Sequence, residues 1–143
     1  MNVATFRVGD LTFGLQVDHL RQIIGSASIT PVPLAPKGIV GLVDLRGVIV
    51  PAAGARDLLE LESSGPPPEV AYVIDGQSGP VAFIVDQALD VIETADAGEP
   101  PPESMSPRMR TAVAGVLTID GADVLLLHTD SITGHGAEPL IGT

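Results

Sequence analysis

Phe6 and Val8 alternate with polar neighbours, Gly9-Asp10 follows, and then Leu11, Phe13, Leu15 and Val17 share one face with Thr12, Gly14 and Gln16 on the other. A period of two broken by a Gly-Asp pair predicts a β-hairpin. Beyond it, Asp18 is placed to cap a short helix of about two turns. On that helix Leu20, Ile23 and Ile24 share a face, and Gly25 would end it in a left-handed conformation. Pro31, Pro33 and Pro36 punctuate an extended stretch. The segment GIVGLVDLRGVIVP, residues 38–51, then reads as two strands around Arg46-Gly47.

The segment LELESSGPPPE, residues 59–69, reads as a loop. Val70, Tyr72 and Ile74 alternate into Asp75-Gly76, and Val81, Phe83 and Val85 return, which predicts a second hairpin. Residues 95–107, ADAGEPPPESMSP, form a proline-rich connection, with a helical turn expected over Arg108 to Ala112. Val113 to Asp120, a turn at Gly121, and Val124 to His128 make the closing hairpin. Residues 134–143 are expected to fray. Many short strands separated by Gly and Pro turns predict an all-β fold, a barrel or sandwich with one or two short helices. Two groups of strands flank the 59–69 loop, which favours two small barrels packed together, with strands exchanged between them if the order demands it, over one large barrel. The 143 residues suit a single domain, 1–143, divided into its two halves near that loop.

Composition narrows the function. A net charge of −11 argues against nucleic acid and anionic membrane surfaces. Residues 1–60 carry five basic and five acidic side chains, and residues 61–143 carry two and thirteen, so the whole imbalance lies in the second part. Such a field keeps the protein soluble or steers a basic partner. Cysteine is absent, which excludes disulfides and thiolate metal sites. The N-terminus lacks a basic segment followed by a long apolar one, and the apolar runs are too short to cross a membrane. A cytoplasmic protein without membrane insertion is expected.

Candidate catalytic groups do not converge in the sequence. His19, His128 and His135 have no second histidine at i, i+4, so no metal is expected. His128 with Asp130, Asp86 with Asp90, and Asp120 with Asp123 sit around strand ends and turns, where carboxylates serve backbone hydrogen bonds. No nucleophile elbow or phosphate loop occurs. The segment 38–51 is different. In a strand, Ile39, Gly41, Val43 and Leu45 face one way, and Val40, Leu42, Asp44 and Arg46 face the other. Asp44 and Arg46 then form either a solvated ion pair, worth at most about 1 kcal/mol, or part of a contact surface. In the second reading the guanidinium at a hairpin tip is framed by Val40, Leu42 and Val48. Gly41, without a side chain, would admit close approach by another element or a partner.

Four stretches carry a resemblance to a known family: FRVGDLTFGLQVDHLRQII, ITPVPLAPKGIVGLVDLRGVIVP, GPVAFIVDQALDVIE and AVAGVLTIDGADVLLLHTDSI. Together they resemble the CheW-type coupling proteins, the scaffolds that join chemoreceptors to the histidine kinase CheA. The resemblance implies two small five-stranded, SH3-like barrels with an apolar seam, no catalytic activity and no cofactor. It implies that Gly41 and Arg46 lie at positions tied to partner binding, and that Leu20 and Gln22 on the short helix correspond to others, with Ile24 beside them. The partners it implies are the regulatory domain of a CheA-like kinase, barrel against barrel, and a chemoreceptor cytoplasmic tip in the groove between barrels. This chain departs from the family pattern in having Asp44 for the usual Asn, Gln22 for Glu, and Ala52-Ala53-Gly54-Ala55-Arg56 for an apolar-Asp-Leu-Arg strand. Those departures fit a divergent CheW-like module that serves another sensory pathway or regulates without receptor binding. A small β-barrel enzyme or ligand-binding protein built on Asp86, Asp90 and His128 is the remaining alternative.

Overall fold

The computed structural model describes residues 1–62, 65–76 and 79–133. The first hairpin is β1 (Asn2–Val8) and β2 (Leu11–Gln16), with Phe6 opposite Phe13 and Gly9 in the left-handed turn position at φ 60°. A single 3-10 turn, Val17–His19, leads to β3 (Leu20–Ile24), β4 (Ile29–Thr30), β5 (Ile39–Leu45) and β6 (Val48–Gly54). Next come α1 (Ala55–Leu58), β7 (Val70–Gly76), β8 (Gly79–Val85) and β9 (Gln87–Glu93). The described chain ends with α2 (Pro107–Ala112), β10 (Val113–Ile119), β11 (Ala122–Leu127) and α3 (Thr129–Thr133). The 134–143 tail, expected to fray, and His135 within it lie outside the described residues. Among the described residues no helix is long and apolar enough to cross a membrane.

Two local expectations need correction. The helix expected from Asp18 to Gly25 is the 3-10 turn followed by a strand, because Gln22, Ile23 and Ile24 pair with Val73, Tyr72 and Ala71 of β7. The β-branched pair and the ladder outweigh the helix propensity of Leu20, Arg21 and Gln22. Gly25 has no positive φ and caps nothing. The second correction is β9, a strand where only turn carboxylates were read. A register shift between Ala4 and Phe6 of β1 breaks the alternation of β9, so its apolar positions fall at 88, 89, 91 and 92.

The strands form two sheets, a five-stranded one in the order β10-β11-β2-β1-β9 and a six-stranded one in the order β3-β7-β8-β6-β5-β4. The sixth strand of the second sheet is the two-residue β4. The chain enters the second sheet after Val17–His19 and leaves it at Asp86. The 59–69 segment joins α1 to β7 inside the second sheet, so the passage between sheets does not fall there. A flat sheet of six strands would hold its edges about 24 Å apart. Residues 25–28 link β3 to β4 and reach at most about 18 Å. The second sheet therefore curls, and all six of its strands line one apolar cluster that includes Ile24, Ile29, Val43, Val50, Ala71 and Ile84.

The first sheet wraps a smaller cluster of Val3, Leu117, Val124 and Leu126. Gly14 of β2 faces it, where a Cβ would collide with Val3 and lie 3.3 Å from Val124. Residues 96–99 cover the outer edge of β10, since Glu99 and Val116 exchange backbone hydrogen bonds of 2.9 and 2.7 Å. The Asp96 carboxylate accepts from the Gly98 and Thr118 N–H groups, which hold it below its ordinary 3.8.

The largest cluster is the seam between the sheets, and every aromatic ring of the chain lies in it. The Phe6 ring centroid is 5.0 Å from Tyr72, 5.8 Å from Phe83 and 5.9 Å from Phe13. The Tyr72 hydroxyl donates to the Thr5 carbonyl at 2.7 Å, so the hydrogen bond crosses from one sheet to the other.

Burial pushes the Tyr72 phenol above its ordinary 10.0. On unfolding the phenol ionises near that value, while the folded state keeps its proton to higher pH, so stability is intact below pH 10.0 and falls as pH rises toward the raised value. Urea unfolding of wild type and Tyr72→Phe at neutral pH and above pH 10 should show the variant losing about 1 kcal/mol at neutral pH. The variant should also lack this residue's share of the alkaline decline.

Candidate partner-binding surface

The register of β5 and β6 sets Leu45 opposite Val48 and Asp44 opposite Ile49, so Arg46-Gly47 is a two-residue turn. Both turn residues are left-handed, at φ 51° for Arg46 and 89° for Gly47, the geometry that matches the twist of a tight hairpin. For Arg46 this conformation costs about 1 kcal/mol. The Gly47 N–H donates to Asp44 Oδ1 at 2.7 Å and holds the turn in place. The carboxylate thus serves the turn, and no ion pair joins it to Arg46. Arg46 is exposed and has no salt bridge among the described residues.

Exposed apolar side chains follow Arg46 at the tip of the hairpin. Val48 is 56% exposed and Ile49 57%, while Val40 and Leu42 are half-buried on β5. Ile49 was missed in the sequence because alternation turns it away from Val48. At the tip of a hairpin both faces are open to solvent, so both residues are exposed. Leu34, fully exposed in the loop between β4 and β5, was missed as well, and its setting between prolines gave no apolar pattern to read. Gly41 is buried, and the element that approaches it is β4: a Cβ there would strike the Thr30 carbonyl and lie 2.8 Å from the Ile29 side chain.

The second group of candidate residues lies on β3, which is an edge strand. Leu20 is half-buried against the seam and Ile24 against the core of the second sheet. Gln22 and Ile23 are exposed between them, and Arg21 pairs with Asp75. β3 is one edge of the second sheet, and β4, which pairs with β5, is the other, so the 25–28 link runs between the two groups.

The Ala52–Arg56 departure is accommodated by close packing. Ala52, Ala53, Gly54 and Ala55 are buried, and a Cβ on Gly54 would lie 2.8 Å from Val40. Arg56 Nε bonds Asp86 Oδ1 at 2.9 Å with both side chains largely buried, and Asp86 Oδ2 accepts from the Gly9 N–H at 2.7 Å. This network ties α1, the end of β8 and the first hairpin together. A cleft of about 420 Å³ opens beside it, with Val40, Arg56, Asp57 and Pro67 in its walls.

The groups considered for catalysis are not brought together. Asp86 is occupied by Arg56 and Gly9. Asp90 projects from exposed β9. His128 lines a separate hollow of about 180 Å³ with His19 and Asp130. Asp120 takes a left-handed turn position at φ 52°, and Asp123 follows on β11. Among the described residues no three His, Cys, Asp or Glu side chains are grouped to hold a metal ion.

Comparison with known proteins sets this geometry in context. The family described as "CheW-like domain" matches residues 2–136. A chemotaxis protein CheW of Rhizobium meliloti is 32% identical over 129 residues, which cover 89% of this chain and 83% of that protein. The CheW of Thermotoga maritima is 24% identical over 130 residues, covering 91% and 85%. The crystal structure of the scaffolding protein TtCheW from Thermoanaerobacter tengcongensis superposes with a TM-score of 0.78 at 20% identity, covering 98% of this chain and 97% of that one. The family match over residues 2–136, with a relative 32% identical over most of both chains, shows that this chain belongs to the CheW-like domain family.

Proposed function

We propose that the protein is a non-enzymatic cytoplasmic adaptor that couples chemoreceptors to a CheA-type histidine kinase. The observation that carries the reading is exposed Arg46, without a salt bridge among the described residues, at the tip of a hairpin fixed by Asp44 and carrying exposed Val48 and Ile49. Such an arrangement suits an interface centre, where an Arg framed by apolar side chains becomes desolvated against a partner. The Gly47 N–H to Asp44 hydrogen bond fixes the turn in the free protein, which lowers the ordering cost of association. The kinase regulatory domain packs on this hairpin, and the receptor tip occupies the groove beside the seam. Coupling then follows from simultaneous binding of both partners to one scaffold.

Arg46→Ala should leave the fold unchanged and weaken binding to the kinase regulatory domain by about 2 kcal/mol. Calorimetry with the purified domain, and recovery of kinase and receptor on the immobilised protein from its own lysate, measure this. Unchanged binding of both partners would remove Arg46 from the interface. Recovery of neither partner by wild type would move the protein to the divergent-module reading.

Gly41→Ala acts differently, because the added methyl meets the Thr30 backbone. It should destabilise the domain by about 1–3 kcal/mol, lowering Tm in a thermal melt, whereas Arg46→Ala should leave Tm in place.

A further inference from the structure

β9 is an edge strand whose one neighbour in the first sheet is β1. The Met1 ammonium donates to the Thr94 carbonyl at 2.7 Å, and the Thr94 N–H donates to the Met1 carbonyl at 2.9 Å. The register continues through Asn2 with Glu93, Val3 with Ile92 and Ala4 with Val91. Bonded and non-bonded pairs alternate along an antiparallel ladder. Thr94 and Ile92 therefore bond to β1, and Val91 and Glu93 turn their backbone N–H and C=O groups toward the open edge. The other end of this sheet is not open in the same way, because Glu99 and the Asp96 carboxylate take up backbone groups of β10.

Side chains along the open edge say what would fit there. Val91 is 58% exposed. Asp90 and Glu93 are exposed, and neither carboxylate has a partner among the described residues. Acidic side chains on an edge oppose pairing with a second copy of the same strand, since like charges would face one another. They favour a strand that brings positive charge.

We infer that β9 takes up an extended segment of a partner protein as a sixth strand of the first sheet. That segment carries Lys or Arg beside Asp90 and Glu93 and an apolar residue beside Val91. Backbone hydrogen bonds at Val91 and Glu93 hold it, and the carboxylates select its charge. The inference does not depend on the Arg46 surface, which lies on the second sheet.

The test uses the whole chain, isotope-labelled for NMR, with a capped synthetic peptide built on Lys-Thr-Val-Lys as the probe, which can set Lys beside Glu93 and Asp90 and Val beside Val91, and the same peptide with Glu for each Lys as its counterpart. The Lys peptide should shift the Val91 and Glu93 amide signals and slow their hydrogen exchange, and the Glu peptide should do neither. Val91→Pro removes an outward N–H and leaves the β1 ladder intact, so it should abolish the exchange protection. The double charge reversal Asp90→Lys with Glu93→Lys should weaken the Lys peptide by about tenfold or more and strengthen the Glu peptide. Three outcomes overturn the inference. They are shifts spread over the acidic surface without protection at Val91 and Glu93, equal binding of the two peptides, and a dimer of the protein that Val91→Pro dissociates.

Discussion

Burial of the β1–β2 face against the β7–β8 face is the constraint on which the rest of the molecule depends. Each sheet alone wraps a core made mainly of Val, Ala, Leu and Ile, too small to support an independent unit. The large side chains are kept for the seam, where Phe6 touches the other three rings. As a result Ala71 through Ile74 and Val81 through Val85 are buried on both strand faces. The Tyr72 hydroxyl finds its acceptor on the opposite sheet, which fixes how the two sheets sit against each other.

A rigid seam lets the periphery carry unfavourable local choices. Arg46 takes the first left-handed position of its turn, where Asn, Asp or Gly is preferred, with Gly47 at the second and its N–H held by the Asp44 carboxylate. The result is a cation displayed at a fixed place, flanked by two exposed aliphatic side chains. In an isolated hairpin the same turn would sample many shapes. On this scaffold it is set by the ladder beneath it, from Leu45 with Val48 down to Gly41 with Ala52.

The alternation of apolar residues made the hairpins at Gly9-Asp10, Arg46-Gly47 and Gly121 legible, because each pairs neighbours in sequence around a turn with its own chemistry. Pairings between distant segments were not legible. The parallel contacts of β2 with β11 and of β6 with β8 leave no local mark, so the membership of the two sheets had to come from the structure. Leu20 to Ile24 has the spacing of a helix face and the composition of a strand, and β7 decides between them. At the candidate site, the shared orientation of Asp44 and Arg46 was readable as far as the strand extends. The turn takes Arg46 off the strand, which is why the carboxylate meets a backbone N–H instead of the guanidinium. Ile49 was hidden by the same assumption of a strand with one inner face.

The route of the chain between the sheets has a kinetic meaning. β1 and β2 are made first, yet β1 pairs with β9 and β2 with β11, partners separated from them by the whole second sheet. During synthesis the second sheet has all its strands as soon as β8 emerges. Until β9 and β11 follow, the first hairpin has only the seam to cover Phe6 and Phe13. The loop that must close before the first sheet forms is therefore most of the protein, and such non-local closure slows folding. The second sheet acts as the surface on which the first is assembled, and a nascent chain stopped before Gln87 exposes the edges that β9 and β11 would cover.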